Sequence, residues 1–136
     1  MNETNPYEGI VVLVIEDMVS VRKLIRNMLL QIGIRTVLEA GDGKAGLDEA
    51  IKFKPTLILC DVHMEPVGGR EFLSTLRALE MRAVALTPVI FLTSDSTRDT
   101  VAFAKEHRVS GYLVKPLSLA DLKSRIDAVL KGRALG

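Results

Sequence analysis

Five side chains draw attention because each follows a short apolar run. Glu16 and Asp17 follow Ile10–Ile15, Asp61 follows Leu57–Cys60, Thr93 follows Val89–Leu92, and Lys115 follows Tyr112–Val114. Each has a local explanation: Asp17 can cap a helix, Asp61 can end a strand, and Thr93 can close a turn. Taken together they put three carboxylates, a hydroxyl and an ammonium in one place if the runs lie side by side. Two carboxylates about 5 Å apart repel by ~3 kcal/mol at an effective dielectric near 20. A site that gathers them therefore calls for a cation. Oxygen donors on a partly open site fit Mg²⁺, with Mn²⁺ in its place.

The runs that must position these groups are apolar throughout rather than alternating. With Thr36–Leu38 they make five strands, covered on both faces. Between them lie amphipathic segments. Val21, Leu24, Ile25, Met28 and Ile32 form one helical stripe. Leu47, Ala50 and Ile51 form a second, and Phe72, Leu73, Leu76 and Leu79 a third. Thr97, Val101 and Ala104 form a weaker fourth, and Leu119, Leu122, Ile126 and Val129 the last. Ser118, three residues before Asp121, marks the start of that last helix. Strict alternation predicts an α/β fold, an open doubly wound parallel sheet with helices on both faces. Ligands of such sheets bind beyond the carboxyl ends of the strands, where strand order reverses.

Composition narrows the class. A chain of 136 residues is one domain's worth of sequence. We expect a single domain over 1–136, with a core of about 9–131, a loose lead-in over 1–8 and no second domain. Hydrophobic residues at 48% and charged residues at 26% exclude wholesale disorder. The single cysteine, Cys60, forms no internal disulfide and reads as a small buried apolar residue. Two histidines, His63 and His107, do not make a closed zinc site. The longest apolar run, Ile10–Ile15, has six residues, against roughly 20 for a membrane-spanning helix. Met1–Asn5 lacks the basic and apolar stretches of a signal peptide, so a cytoplasmic protein is expected. A net charge of +1 is no footprint for nucleic acid. Basic groups outnumber acidic ones by eight to four after residue 97. That excess is a solvated face or, more sharply, a docking surface.

The motifs Val14-Ile15-Glu16-Asp17, Cys60-Asp61-Val62-His63-Met64-Glu65-Pro66-Val67-Gly68-Gly69, Phe91-Leu92-Thr93-Ser94 and Gly111-Tyr112-Leu113-Val114-Lys115-Pro116 occur in that order. From about Ile10 to Lys131 the sequence resembles the receiver domain of bacterial two-component response regulators, stand-alone chemotaxis-type regulators above all. The resemblance implies a flavodoxin-like strand order, 2-1-3-4-5. It implies that Asp61 accepts a phosphoryl group from a sensor histidine kinase or a histidine phosphotransfer protein. Glu16, Asp17, Asp61 and the backbone carbonyl of His63 would hold Mg²⁺. Thr93 and Lys115 would each meet a phosphoryl oxygen. Thr93 and Tyr112 would form the switch, and Ser94 would leave the site accessible. His63 and Asp95, two residues past Asp61 and Thr93, would flank the attacking water and set the phosphoryl lifetime. The Lys115–Pro116 peptide would be cis. Output would pass to a protein target docking on the last two helices. Two departures are visible: Glu65 separates Met64 from Pro66, and the acid pair is Glu-Asp.

Three other readings compete. Gly41-Asp42-Gly43-Lys44-Ala45-Gly46 matches the glycine pattern of dinucleotide-binding turns. It follows the second strand, however, puts Asp42 inside a would-be phosphate cradle, and leaves Glu16, Asp17, Thr93 and Lys115 unexplained. A haloacid-dehalogenase-type phosphatase would need an acid two residues after Asp61, where His63 stands. A receiver-like interaction module that never sees phosphate would usually lack one of the acids or the lysine.

Overall fold

The computed structural model describes residues 4–94 and 98–135. Its elements are β1 (Val11–Ile15), α1 (Val19–Ile32), β2 (Thr36–Ala40), α2 (Gly43–Phe53), β3 (Leu57–Asp61), α3 (Gly69–Arg77), α4 (Arg82–Ala85), β4 (Val89–Thr93), α5 (Arg98–Glu106), β5 (Gly111–Val114) and α6 (Leu119–Leu135). The five strands pair in parallel in the order β2-β1-β3-β4-β5. This is the fold that the resemblance implies.

Successive side chains of a strand point to opposite faces, so strands apolar at every position feed two cores. Leu13, Ile15, Ile58, Cys60 and Phe91 pack with Ala50 of α2, Phe72, Leu73 and Leu76 of α3, and Ala104 of α5. Val12, Val14, Leu57, Leu59, Ile90 and Leu92 pack with Ile25 and Leu29 of α1 and Leu122 and Ile126 of α6. Helices α1 and α6 thus cover one face, and α2, α3 and α5 the other. The central strands β3 and β4 are buried along their whole length, whereas β2 and β5 are edges.

Several expectations shift. Leu24 is 58% exposed, and Leu29 takes the central place beside Ile25. The i, i+4 row Ile25–Leu29 is the centre of the buried stripe, and Leu24 lies a quarter-turn off it. Leu119 is also exposed, while Leu122 and Ile126 are buried. Between Leu79 and Val89 the chain adds the short helix α4, which no periodicity announced. Ser118 caps α6 as expected, its Oγ accepting from Asp121 N at 3.0 Å. Thr97 lies outside the described residues. Among those described, no helix is long and apolar enough to cross a membrane.

The lead-in was expected to be loose, and its second half is not. Tyr7 is 6% exposed within the α1/α6 core. Its hydroxyl donates to Asp127 Oδ1 at 2.6 Å, and Asn5 Nδ2 donates to Gly33 O at 2.8 Å. An aromatic ring with a satisfied polar tip gains enough burial to order a terminal segment.

The glycine pattern has a local account. Asp42 caps α2, its Oδ1 accepting from Ala45 N at 2.8 Å. A Cβ at Gly43 would meet Val67 Cγ1 at 2.6 Å, and one at Gly46 would collide with Ile15 Cδ1. These glycines let α2 lie close against β1 and the loop before α3. They serve packing rather than a phosphate.

Candidate functional site

Parallel pairing brings the carboxyl ends of β1, β3, β4 and β5 to one side of the sheet. Asp61 and Thr93 are the last residues of β3 and β4, so both strands run one residue further than expected. The register sets Ile15 beside Cys60, Asp61 beside Leu92, and Thr93 beside Val114. Glu16, Asp17 and Lys115 sit just beyond the strands on either side. At the start of α3 a Cβ on Gly69 would collide with Asp61 O. Only a glycine lets that helix begin directly over the end of β3.

Lys115 Nζ lies 2.6 Å from Glu16 Oε1 and 3.4 Å from Asp61 Oδ2. Glu16 Oε2 accepts from Asp17 N at 3.1 Å. Carboxylate oxygens of Glu16, Asp17 and Asp61 all lie within 4.8 Å of one another. Glu16 is wholly buried and Asp61 nearly so, while Asp17 is exposed. The cluster therefore has a dry inner wall and one wet acid at its mouth. A cleft of about 270 Å³ opens there, lined by Asp17, Val62, His63, Met64 and Glu65.

The electrostatics follow from this crowding. Burial raises the pKa of Glu16, the neighbouring Asp61 carboxyl raises it further, and Lys115 offsets only part. For Lys115, burial alone would lower the pKa. The hydrogen bond to Glu16 and the charges of Asp61 and Glu16 outweigh it, and the ammonium titrates above its ordinary value. Three acids with one ammonium retain excess negative charge. An oxygen-only donor set with an open side matches a hard divalent cation such as Mg²⁺.

Most residues singled out by the sequence are in place. Glu16, Asp17, Asp61, Thr93 and Lys115 converge, and Thr93 is fully buried. His63 borders the cleft with an exposed side chain, and Ser94 is exposed. Tyr112 is half-buried on β5 opposite Phe91 and packs on the core that includes Ala104. Its hydroxyl is buried with no hydrogen-bond partner among the described residues, and burial raises its pKa. Cys60 is a buried free thiol whose pKa burial pushes well up. The Lys115–Pro116 peptide is cis, and so is Glu65–Pro66, at the loop departure. Asp95 lies outside the described residues. One contact escaped sequence reasoning: Arg22 Nη1 donates to Glu16 O at 2.8 Å. A bond to a backbone carbonyl leaves no mark in residue types.

Residues 12–127 match the model of the response regulator receiver domain. The chain is 28% identical over 120 residues to chemotaxis protein CheY-3 of Vibrio cholerae, covering 88% of this chain and 91% of that protein. It is 35% identical over 116 residues to the transcriptional regulatory protein PdtaR of Mycobacterium tuberculosis, covering 85% of this chain and 54% of that protein. Among solved structures, chemotaxis protein CheY4 of Vibrio cholerae superposes with a TM-score of 0.81 at 28% identity, covering 88% of this chain and 98% of that one. With a match that runs from β1 into α6, the chain belongs to the response regulator receiver family, the signalling switches of two-component systems.

Proposed function

We propose that this chain is a phosphorylation-controlled switch in which Asp61 takes a phosphoryl group from a sensor histidine kinase or a histidine phosphotransfer protein. The observation that supports it best is the Lys115 ammonium spanning Glu16 and Asp61 beside three converging carboxylates. An Asp61 carboxylate oxygen attacks phosphorus. The P–N bond to the donor's imidazole breaks, its electron pair stays on nitrogen, and an acyl phosphate remains. Such transfers depend on positioning and charge stabilisation. Glu16, Asp17, Asp61 and the backbone carbonyl of His63 would hold Mg²⁺, or Mn²⁺, which supplies neutralising charge for the phosphoryl oxygens. Lys115, a compact charge on a flexible stem, leaves Glu16 to pair with one of those oxygens. The Thr93 hydroxyl donates to another. The chain assists its own phosphorylation and dephosphorylation and turns over no separate substrate.

Thr93 and Tyr112 then couple the site to the surface. A buried hydroxyl without a partner costs ~1–3 kcal/mol, so the Tyr112 position in this state is poised to change. Drawing Thr93 toward the acyl phosphate alters the space beside β5 and repacks the ring. Helices α5 and α6 flank the β5 edge from opposite faces of the sheet. Helix α6 carries four basic residues against two acidic ones while α5 is balanced, and Val114 between them is exposed. This is the face on which a protein target docks. His63 and Asp95 act on the water that ends the signal. A cytoplasmic place in the relay accords with the buried reduced thiol of Cys60.

Incubation with Mg²⁺ and a small acyl-phosphate donor, followed by intact mass, tests the reading. A phosphoryl-sized gain is expected in the wild type and none in Asp61→Asn. No gain in the wild type leaves a phosphorylation-independent interaction module.

A further inference from the structure

The turn that carries the acid pair is held from the edge of the sheet. Glu16 N donates to Ala40 O of β2 at 3.0 Å. Glu16 O accepts from Arg22 Nη1 at 2.8 Å. The same guanidinium turns its Nε to Glu39 Oε1 of β2 at 3.0 Å. Both ends of the Glu16 residue are thus referred to β2, one directly and one through Arg22. Glu39 is in turn fixed by Lys23 Nζ at 2.9 Å and by Arg26 Nε at 3.7 Å. The planar fork matters here, because Nε and Nη1 address two acceptors from one rigid group. A lysine has a single point to offer.

We propose that Arg22, seated on Glu39, is a positioning residue for the metal-binding carboxylates of Glu16 and Asp17. The inference rests on the metal-assisted reading above and adds to it residues that touch neither metal nor phosphate. Asp17 is exposed, and its backbone is tied at N to Glu16 Oε2. The peptide joining the two acids is what Arg22 holds. Without that hold the Asp17 carboxylate samples a wider arc, and Mg²⁺ tolerates little departure from octahedral geometry. Charge alone gives the opposite sign. Arg22 is a cation near the cluster, so removing it would favour a divalent ion. At Arg22 the direction of the effect separates positioning from charge; at Glu39, whose loss weakens a cation on either account, the comparison of alanine with glutamine does.

The test is calorimetric titration of Mg²⁺ into the wild type, Arg22→Ala, Glu39→Ala, Glu39→Gln and the double alanine variant. Partners of this kind cost roughly 10–100-fold in metal affinity when removed. We expect the Kd for Mg²⁺ to rise about tenfold in Arg22→Ala. Glu39→Ala moves the same way by less, and Glu39→Gln, whose amide oxygen still accepts, stays near the wild type. The double variant binds no more weakly than Arg22→Ala alone, as expected for residues acting in series. The Mg²⁺ concentration for half-maximal phosphorylation rises with the Kd, while the rate at saturating Mg²⁺ is retained. If Arg22→Ala does not fold, the two Glu39 variants decide by themselves: a loss in Glu39→Ala that Glu39→Gln does not share supports the clasp, and equal losses in both overturn it. An unchanged or tighter Kd in Arg22→Ala and Glu39→Ala overturns the proposal, as do additive losses in the double variant. A wild type that neither binds Mg²⁺ nor gains a phosphoryl group overturns the functional reading itself. A wild type that does both, with variants that match it, removes only the clasp.

Discussion

Two half-buried cations hold opposite poles of the sheet, and they are satisfied in different ways. At the carboxyl ends of the strands, Lys115 meets two carboxylates. At the amino ends, Arg77 meets backbone carbonyls alone among the described residues. Its donors reach Ala85 O and Thr87 O at 2.8 Å each, His107 O at 3.1 Å and Arg108 O at 3.2 Å. Burial and then the charge of Arg108 lower the Arg77 pKa to about 10, while the Lys115 pKa is raised. A carboxylate partner can be exchanged for another anion at little cost. Four carbonyls gathered on one planar fork cannot be exchanged for anything. One pole is built to trade partners, and the other ties α3, α4 and the turn before β5 into a fixed frame.

The largest effect should come from breaking that frame. Arg77→Met leaves four carbonyls without a charged donor. Hydrogen bonds to charged groups are worth about 1.5–3 kcal/mol each, less where water can replace them. We expect a loss of ~3 kcal/mol in chemical unfolding, a fall in Tm on the order of 10 °C, and no rescue by Arg77→Lys. Phosphorylation of the folded fraction should persist. Its disappearance would mean that the poles are not separable.

Lys115→Met should do the reverse. Removing one charge-stabilising group from a preorganised site costs about 10²-fold in rate. Phosphorylation by a small donor should slow by that order, while Tm in saturating Mg²⁺ stays near the wild type. Stopped reactions followed by intact mass give the rate. A variant that phosphorylates normally removes Lys115 from the chemistry.

Magnesium sharpens the contrast. An ion bound only to the folded state stabilises by about 1.4 kcal/mol at ten times its Kd. Wild type and Arg77→Met should gain equally, because distant sites add. Asp17→Ala should gain less. Thermal melts with and without Mg²⁺ read all three, and unequal gains in the first two would show that the poles communicate.

The legibility of the two poles differs for the same reason as their chemistry. Glu16, Asp17, Asp61, Thr93 and Lys115 were readable because side-chain chemistry at strand ends leaves residue types at fixed places. The sheet was readable because strands buried on both faces are apolar at every position. Arg77 and the Arg22 bond to Glu16 were not readable, since the acceptors there are backbone carbonyls that any residue supplies. Leu24 was misplaced because a stripe on paper does not say where its centre lies. Helix α4 escaped because one helical turn is too short to show a period. Tyr7 escaped because a terminal segment docks through a single ring, and a single residue makes no pattern.

Tyr7 supplies the smallest and most specific test, a third mode of satisfaction between those of the poles. Its hydroxyl donates to Asp127 Oδ1, and Lys123 Nζ lies 2.8 Å from Asp127 Oδ2. Tyr7→Phe keeps the buried ring and removes one hydrogen bond, a loss of about 1 kcal/mol. Burial works to raise the Asp127 pKa, but the hydrogen bonds from Lys123 and Tyr7 prevail and lower it below its ordinary 3.8. A carboxylate with a lowered folded-state pKa contributes stability that is present above the unfolded value and lost as pH falls through the folded one. The margin of the wild type over Tyr7→Phe should therefore be constant from neutral pH down to about 5 and shrink below 3.8. Urea unfolding of both proteins across that range measures it. A margin near zero at every pH would mean that the ring alone anchors the lead-in, with the Asp127 bond contributing nothing.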